Sequence, residues 1–240
     1  MKRRVGILGG MGPEATILIM QKVLAGVRAK DDADHVPLIV DQNPQVPSRI
    51  KHLLEGGVED PGPVLADMAR RLVAGGAEAL AMPCNTAHHY ADVIRAAVDV
   101  PFLDMIDLSV AHARRLAGEG RTVGILASPA VRKVGLFDAR LAKHGLQALY
   151  AIDEPAMLAA IRQIKAEGGP QRLARDSFRR ASEDLRHRGA TVQLVACTEF
   201  SLIADAVADH ITAFDTLDLL AGAILDFALK DSAQEERAAL

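Results

Sequence analysis

Two cysteines stand where two apolar stretches of the sequence give way to small polar residues. Cys84 lies in AEALAMPCNTAHH (77–89) and Cys197 in ATVQLVACTEF (190–200). When the stretches are aligned, the cysteines take equivalent positions 113 residues apart (197 − 84), and the sequence contains no third cysteine. Two facing thiols can act as acid and base on opposite sides of one carbon. A thiol and a thiolate suit this task, because a general base works best with a pKa near the operating pH.

A buried cysteine without a chemical task is the competing interpretation. Free cysteine is among the most often buried residues and is usually inert. For one cysteine that interpretation is favoured, but equivalent placement of both favours a chemical role. Each cysteine also precedes a predicted helix N-terminus, whose free N–H groups and dipole are expected to lower the thiol pKa. The capping candidates are Asn85, Thr86, Thr198 and Glu199.

Two further pairs of segments indicate an internal duplication. RVGILG (4–9) recurs as TVGILA (122–127), and FLDMIDL (102–108) recurs as AFDTLDL (213–219), in the same order along the chain. The spacing of these repeats is that of two homologous halves and not of a short-period solenoid.

Strands that are apolar throughout alternate with helical segments, which is typical of parallel sheets covered on both faces. Strands are predicted within 3–10, 36–42, 77–83, 122–127, 146–153, 192–197 and 211–215. Helices are predicted after Pro13, over 63–74, from about 86, over 131–143, within 155–188 and over 217–229, with a proline-rich loop at 43–50.

The fold class that follows is α/β, with two pseudo-symmetric, duplicated α/β domains. Each domain is a mostly parallel sheet flanked by helices, and the active site is expected in the cleft between them, because ligands bind beyond the carboxyl ends of parallel strands. The first domain comprises residues 1–101 plus 214–240 and contains Cys84; the second comprises 102–213 and contains Cys197. The last helix is expected to pack back on the first domain.

Composition excludes several classes of function. The chain has 240 residues, half of them apolar, and a formal net charge of −3. It lacks a basic cluster and has no Trp, two Tyr and six Phe, which argues against nucleic acid as a partner. No apolar segment approaches the roughly 20 residues of a membrane span, so we expect no membrane association and a cytoplasmic location, where thiols stay reduced.

Four motifs carry a resemblance to a known family: ILGGMGPEAT (7–16), NPQVPSR (43–49), MPCNTAH (82–88) and ACTE (196–199). In these, and in their order over nearly the whole chain, the sequence resembles the aspartate/glutamate racemase family, and most of all its aspartate racemase branch. The resemblance implies a homodimeric, cofactor-independent amino-acid racemase in which Cys84 and Cys197 perform two-base 1,1-proton transfer. It differs in Ala196, where the family motif has Gly, which narrows the space beside Cys197.

The resemblance also implies which residues hold the substrate. Asn85, Thr86 and Thr198 match contacts to the substrate carboxylate. Met11 lies in the matching glycine loop, and Ser128 takes a small hydroxyl position.

Charged residues of the motifs are assigned in the same way. Arg49 matches an arginine that binds a substrate carboxylate, and its planar fork suits that contact. Lys165 matches a lysine that approaches the substrate, although on residue type alone a solvated surface lysine is an equal alternative. Glu199 either tunes a thiol or caps a helix. For His88 and His89 packing or capping is favoured over metal binding, since no ligand set with zinc spacing accompanies them, and His88 is a candidate for lining the site.

Other functions fit parts of the sequence. Gly10, Gly12 and Ala15 satisfy the dinucleotide pattern G-x-G-x-x-G/A, which would give an oxidoreductase. Pro13 removes an N–H from that loop, and Asp41 lies farther along than the expected roughly 20 residues. A dicarboxylate isomerase, a decarboxylase or a small-acid binding protein of the same fold also stays open, as does the choice between aspartate and glutamate.

Overall fold

The computed structural model describes residues 2–117, 121–167 and 172–230. Residues 231–240, which the sequence assigns to the first domain, lie outside the described residues. The strands are β1 Val5–Gly9, β2 Leu38–Gln42, β3 Ala79–Ala81, β4 Phe102–Leu103, β5 Thr122–Ala127, β6 Gln147–Tyr150, β7 Val192–Ala196 and β8 Thr212–Asp215. The α-helices are α1 Pro13–Ala25, α2 Arg49–Leu54, α3 Pro61–Ala74, α4 Ala91–Ala97, α5 Met105–Ala117, α6 Pro129–Lys133, α7 Asp138–Ala142, α8 Glu154–Glu167, α9 Arg172–His187 and α10 Thr216–Leu229.

The strands form two four-stranded sheets with the same connectivity. The first sheet has the order β2-β1-β3-β4 and the second β6-β5-β7-β8. Every pairing within both sheets is parallel. Two parallel sheets flanked by helices, with equivalent strand order, confirm the predicted duplicated α/β fold.

The repeated VGIL sequence has a packing reason. A Cβ atom on Gly6 in β1 would stand 2.8 Å from Leu80 Cδ2, and one on Gly124 in β5 would stand 2.9 Å from Gln193 Cγ. Both distances are shorter than carbon atoms tolerate, so each central strand needs glycine where its neighbour approaches. The same close approach therefore occurs in both halves.

Helix α10 crosses from the second sheet back to the first. It follows β8 directly, and its buried Leu220 and Ile224 belong to one hydrophobic cluster with Ile7 of β1 and Ile19 of α1. Near its end, the Arg3 amide donates to the Ala228 carbonyl at 3.1 Å. The predicted packing of the last helix on the first half is therefore confirmed.

Strand pairing differs from the expected boundaries at 101 and 213 by two residues each. β4 pairs with β3, which places Phe102 and Leu103 in the first sheet, and β8 extends through Asp215 in the second. In each half the fourth strand, β4 or β8, completes the edge of its sheet before the helix that follows it, α5 or α10, begins. The division into domains itself stays a prediction.

Two local predictions were wrong. The helix expected over 131–143 is divided into α6 and α7 around Gly135, whose φ of +60° is a left-handed conformation that ends a helix. The loop expected at 43–50 ends at Ser48, whose hydroxyl accepts from the Lys51 amide at 3.3 Å and begins α2. The helices expected after both cysteines are present and begin as 3-10 helices, Thr86–Tyr90 and Phe200–Ala206.

No α-helix in the described part of the chain has the length and apolar character needed to cross a membrane.

Candidate active site

The two cysteines lie beyond the ends of equivalent strands. Cys84 follows β3 and Cys197 follows β7. Within its sheet, β3 lies between β1 and β4, and β7 lies between β5 and β8. Both cysteines are free thiols, and they are 7% and 6% exposed. Both line one small cavity between the two halves. The fold thus brings the two predicted catalytic thiols to the same space.

The cavity is small, and both cysteine motifs contribute to its lining. Its volume is about 40 Å³, and a cavity needs roughly 10–15 Å³ to hold one water. It therefore has room for about three waters, less than a free amino acid occupies. The lining residues are Met11, Ser48, Arg49, Ile50, Cys84, Thr86, Ser128, Ile161, Lys165, Cys197 and Glu199.

Direct contacts hold the halves together at this cavity and near it. The hydroxyls of Thr86, after Cys84, and Ser128, after β5, lie 3.2 Å apart. Farther out, Arg162 Nη2 of α8 donates to Glu55 Oε1 beyond α2 at 2.7 Å. The first contact joins two predicted substrate-binding residues, and the second is an exposed ion pair that has to part if the halves separate.

Cys197 is bonded to a carboxylate. Its Sγ donates to Glu199 Oε2 at 3.0 Å, and Lys165 Nζ lies 3.0 Å from Glu199 Oε1. Burial first, and the Glu199 charge second, raise the pKa of the Cys197 thiol well above its usual value. Burial opposes the charge of Lys165, but Glu199 outweighs it and the lysine pKa is raised.

The expectation that helix N-termini lower the thiol pKa is therefore wrong for Cys197. The segments after both cysteines are 3-10 helices, and neither Asn85 nor Glu199 makes a side-chain capping hydrogen bond. The carboxylate that was a capping candidate instead accepts the thiol proton in a hydrogen bond. Lys165, which on residue type could have been a surface cation, lines the cavity as an ion-pair partner of that carboxylate.

Arg49 enters the cavity from the first turn of α2. Its Nη1 donates to the carbonyls of Val46 and Pro47 at 3.1 and 2.9 Å, which fixes the side chain against the preceding loop. Its Nε is buried without a partner among the described residues. Since a buried unpartnered donor is costly, this nitrogen is suited to an incoming acceptor.

The other predicted site residues divide into two groups. Met11, Thr86 and Ser128 line the cavity as expected. Asn85 and Thr198 are buried, each 2% exposed, but are not among the lining residues. Asn85 instead donates from Nδ2 to the Thr216 hydroxyl at 2.9 Å.

His88 has a packing role. Its Nδ1 bonds to the Cys84 carbonyl at 2.8 Å, and its Nε2 accepts from the Met105 amide at 3.1 Å. An accepting Nε2 requires a proton on Nδ1, which therefore donates to the carbonyl. Burial lowers the His88 pKa, so the ring stays neutral. His88 therefore stabilises the Cys84 segment through the bond to the Cys84 carbonyl. It is not among the cavity-lining residues.

Sequence reasoning missed three lining residues, Ser48, Ile50 and Ile161. Ser48 and Ile50 flank Arg49 in the motif that was recognised. Ile161 precedes Lys165 by one helical turn in α8, so helical spacing from that lysine would have found it.

The glycine loop leaves no space for a pyrophosphate at Gly10. The Gly10 amide donates to Thr16 Oγ1 at 2.8 Å. A Cβ on Gly10 would stand 2.4 Å from the backbone carbon of Asn43, so the neighbouring chain fills the space beside the turn. This contact explains the glycine without a nucleotide. The described residues contain no group of three or more His, Cys, Asp or Glu that could hold a metal ion.

Comparison with known proteins gives concordant similarities. The sequence model of the Asp/Glu/Hydantoin racemase family matches residues 8–224. The structure is similar to Picrophilus torridus aspartate racemase, 26% identical, with 98% of each chain covered and a TM-score of 0.84. PH1733 from Pyrococcus horikoshii OT3, an aspartate racemase homologue, shares the fold at 23% identity, with 96% of this chain and 100% of that one covered and a TM-score of 0.73. The broad specificity amino-acid racemase RacX of Bacillus subtilis (strain 168) is 24% identical over 227 residues, 90% of this chain and 94% of RacX.

Proposed function

Because the chain belongs to the Asp/Glu/Hydantoin racemase family, we propose that it is an amino-acid racemase that transfers the α-proton of a free amino acid between two opposed thiols. The observation that carries this proposal is that Cys84 and Cys197, supplied by different halves, line the same cavity. Stereoinversion at a carbon acid needs a base on one face and an acid on the other.

The reaction is a balanced 1,1-proton transfer. One cysteine thiolate takes the proton from Cα and becomes a thiol, while the opposite thiol gives its proton to the other face and becomes a thiolate. The roles exchange with the handedness of the substrate. No redox change occurs, and the chemistry needs the two thiol groups in the correct protonation states.

Glu199 sets the protonation state of Cys197. In the structure the Cys197 thiol keeps its proton and donates a hydrogen bond to the carboxylate, which is the form required of the acid. When Cys197 must act as base, the Glu199 carboxylate 3.0 Å away accepts that proton. Lys165 stabilises the carboxylate through the ion pair. Thr86 occupies the corresponding position after Cys84, so the two halves differ in how they set the thiol.

The charges around the cavity favour an acidic substrate, with aspartate the first candidate and glutamate the second. Lys165 is neutralised by Glu199, while Arg49 has no ion pair within the described residues. A substrate side-chain carboxylate would neutralise Arg49 and satisfy its buried Nε. Asn85, Thr86 and Thr198 are proposed to hold the α-carboxylate, directly or after rearrangement, and Met11 and Ser128 to complete the walls.

We expect the halves to separate for substrate entry, because a cavity with room for about three waters is smaller than a free amino acid. Closure around the substrate then excludes water, which strengthens the electrostatic contacts to the developing carbanion. A homodimeric state and a cytoplasmic location stay predictions from the sequence.

The experiment is α-proton exchange followed by NMR in D2O, with both enantiomers of aspartate, glutamate and a wider amino-acid panel under reducing conditions. We expect deuterium at Cα together with the opposite enantiomer. Cys84→Ser and Cys197→Ser should each lower racemisation at least 100-fold, since acid–base groups contribute about 10²–10⁴-fold. Each variant should retain exchange without inversion for one enantiomer.

Full racemisation by either variant would refute the two-base assignment. If folded wild-type protein with both thiols free exchanged no amino acid, the racemase proposal would fail. The same protein would then be tested with dicarboxylates, the substrates of the isomerase and decarboxylase alternatives, and titrated with NAD.

A further inference from the structure

The junction between β8 and α10 contacts the segments that follow both cysteines. Asp215 ends β8 and Thr216 begins α10. The Asp215 carboxylate accepts from Ser201 Oγ at 2.9 Å, and the Ser201 amide in turn lies 3.2 Å from the Cys197 carbonyl. Thr216 is fully buried and bonds to Asn85, the residue after Cys84. This junction therefore forms hydrogen bonds with the segment after Cys84 and with the segment after Cys197.

The Thr216 hydroxyl fixes the orientation of the Asn85 amide. Thr216 Oγ1 lies 3.2 Å from the Val195 carbonyl of β7 and 2.9 Å from Asn85 Nδ2. A carbonyl only accepts, so the single hydroxyl proton is donated to Val195. The hydroxyl oxygen must then accept from the amide nitrogen, which turns Asn85 Oδ1 away from Thr216.

That orientation leaves a buried acceptor on the residue that follows Cys84. Asn85 Oδ1 is buried and has no hydrogen-bond partner among the described residues. Asn85 is itself only 2% exposed. A buried acceptor that the protein leaves unsatisfied is suited to a donor group of a bound molecule.

The duplicated counterpart of this junction also reaches the other half, where the Asp104 carboxylate accepts from Arg140 of α7 at 3.5 Å. FLDMIDL and AFDTLDL align Met105 with Thr216. The Met105 amide donates to His88 Nε2, four residues after Cys84, just as Asp215 accepts from Ser201, four residues after Cys197. Thr216 differs from Met105 because its side chain joins the Cys84 segment to the strand that leads to Cys197.

We propose that Thr216 is a positioning residue for the proposed racemisation: it orients the Asn85 amide and ties the segment after Cys84 to β7. This inference rests on the proposed function for its kinetic consequence. The hydrogen-bond relation itself stands on the geometry alone.

A matched pair of variants isolates the hydroxyl. Thr216→Ser and Thr216→Ala both remove the methyl group, but only Thr216→Ala removes the hydroxyl. We expect kcat/KM for the amino acid that the wild type racemises to fall about tenfold in Thr216→Ala, as loss of a buried hydrogen bond implies, and to stay within about twofold in Thr216→Ser. Ser182→Ala serves as control, because it removes another buried hydroxyl, bonded to Gln193 at 2.6 Å, that contacts neither cysteine segment.

A double-variant cycle tests whether Thr216 acts through Asn85. Asn85→Ala combined with Thr216→Ala should be no slower than Asn85→Ala alone, since the group being positioned is already absent. Multiplying effects, or an equal loss of activity in Ser182→Ala, would overturn the proposal in favour of general destabilisation.

A second readout is independent of activity and of the proposed function. The side-chain amide signals of Asn85, assigned by their loss in Asn85→Ala, should move in the ¹H–¹⁵N spectrum of Thr216→Ala and stay in place in Thr216→Ser. Unmoved signals in Thr216→Ala overturn the inference. If the wild type exchanges no amino acid, the proposed function fails while this spectrum still decides the role of Thr216; if Thr216→Ala does not fold, Thr216→Val takes its place.

Discussion

Replacing Arg49 by methionine tests the choice of substrate most directly. Methionine retains much of the volume of arginine but has no charge and no donors. In the proposed complex the guanidinium makes two charge-assisted hydrogen bonds to the side-chain carboxylate, each contributing about 1.5–3 kcal/mol. Allowing for partial solvent exposure, we take about 3–4 kcal/mol in total, so kcat/KM for aspartate should fall roughly 100- to 1,000-fold.

The assay compares two substrates in the same variant. Alanine has no side-chain carboxylate, so its slower α-proton exchange in D2O should change by no more than about twofold. Arg49→Lys, which keeps the charge without the planar fork, should fall between wild type and Arg49→Met. Because Arg49 Nη1 also holds the carbonyls of Val46 and Pro47, alanine exchange reports any disturbance of the loop itself.

An equal loss for aspartate and alanine would refute the reasoning, since Arg49 would then be shaping the loop and not recognising a carboxylate. Unchanged aspartate activity would refute it as well. In that case a second cation, Lys165 released from Glu199, would have to bind the side chain.

Two further predictions concern carboxylates. Glu199→Gln should lower the pKa of Cys197, measured by thiolate absorbance, because it removes a neighbouring negative charge that raises this pKa. The same substitution should slow racemisation about 100-fold or more, because the proton acceptor is lost. A faster enzyme at neutral pH would show that Glu199 only opposes thiolate formation. Burial is the main reason that the pKa of Asp215 is raised from 3.8 to about 6. Between these pH values the native state binds more protons than the unfolded state. Stability is therefore lost as the pH rises from about 4 to about 6. Asp215→Asn keeps the acceptor for Ser201 and Leu217 and should raise the free energy of unfolding by about 3 kcal/mol at pH 8 with little gain at pH 4, as measured by urea unfolding at both values; equal gains at both would contradict the assignment.

Much of the fold was predictable from the sequence because the two halves repeat the same packing problem. VGIL occurs twice since Gly6 and Gly124 both meet a neighbouring strand at distances that exclude a side chain. The thiols could be placed at strand ends because both apolar runs stop at a cysteine. The resemblance then added Arg49 and Lys165, which spacing alone does not distinguish from surface cations.

What the sequence could not supply depends on contacts between distant segments. The raised pKa of Cys197 arises from burial and from Glu199, while the local pattern suggested a helix terminus that would lower it. Asn85 and Thr216 are 131 residues apart and meet only because α10 crosses between the halves. For His88 the sequence favoured packing and left lining of the site open, and only the structure shows that its two hydrogen bonds are both to backbone.

The return of α10 has a consequence for the order in which the chain acquires its structure during synthesis. Ile7 and Ile19 are fully buried in a cluster that includes Leu220 and Ile224. The first half is therefore missing one wall of its core until the ribosome has released residues near position 229, whereas the second sheet and its own helices emerge earlier as a continuous segment. Domains generally fold as units, so we expect the second half to complete its fold before the first, whose apolar surface stays uncovered until α10 is available.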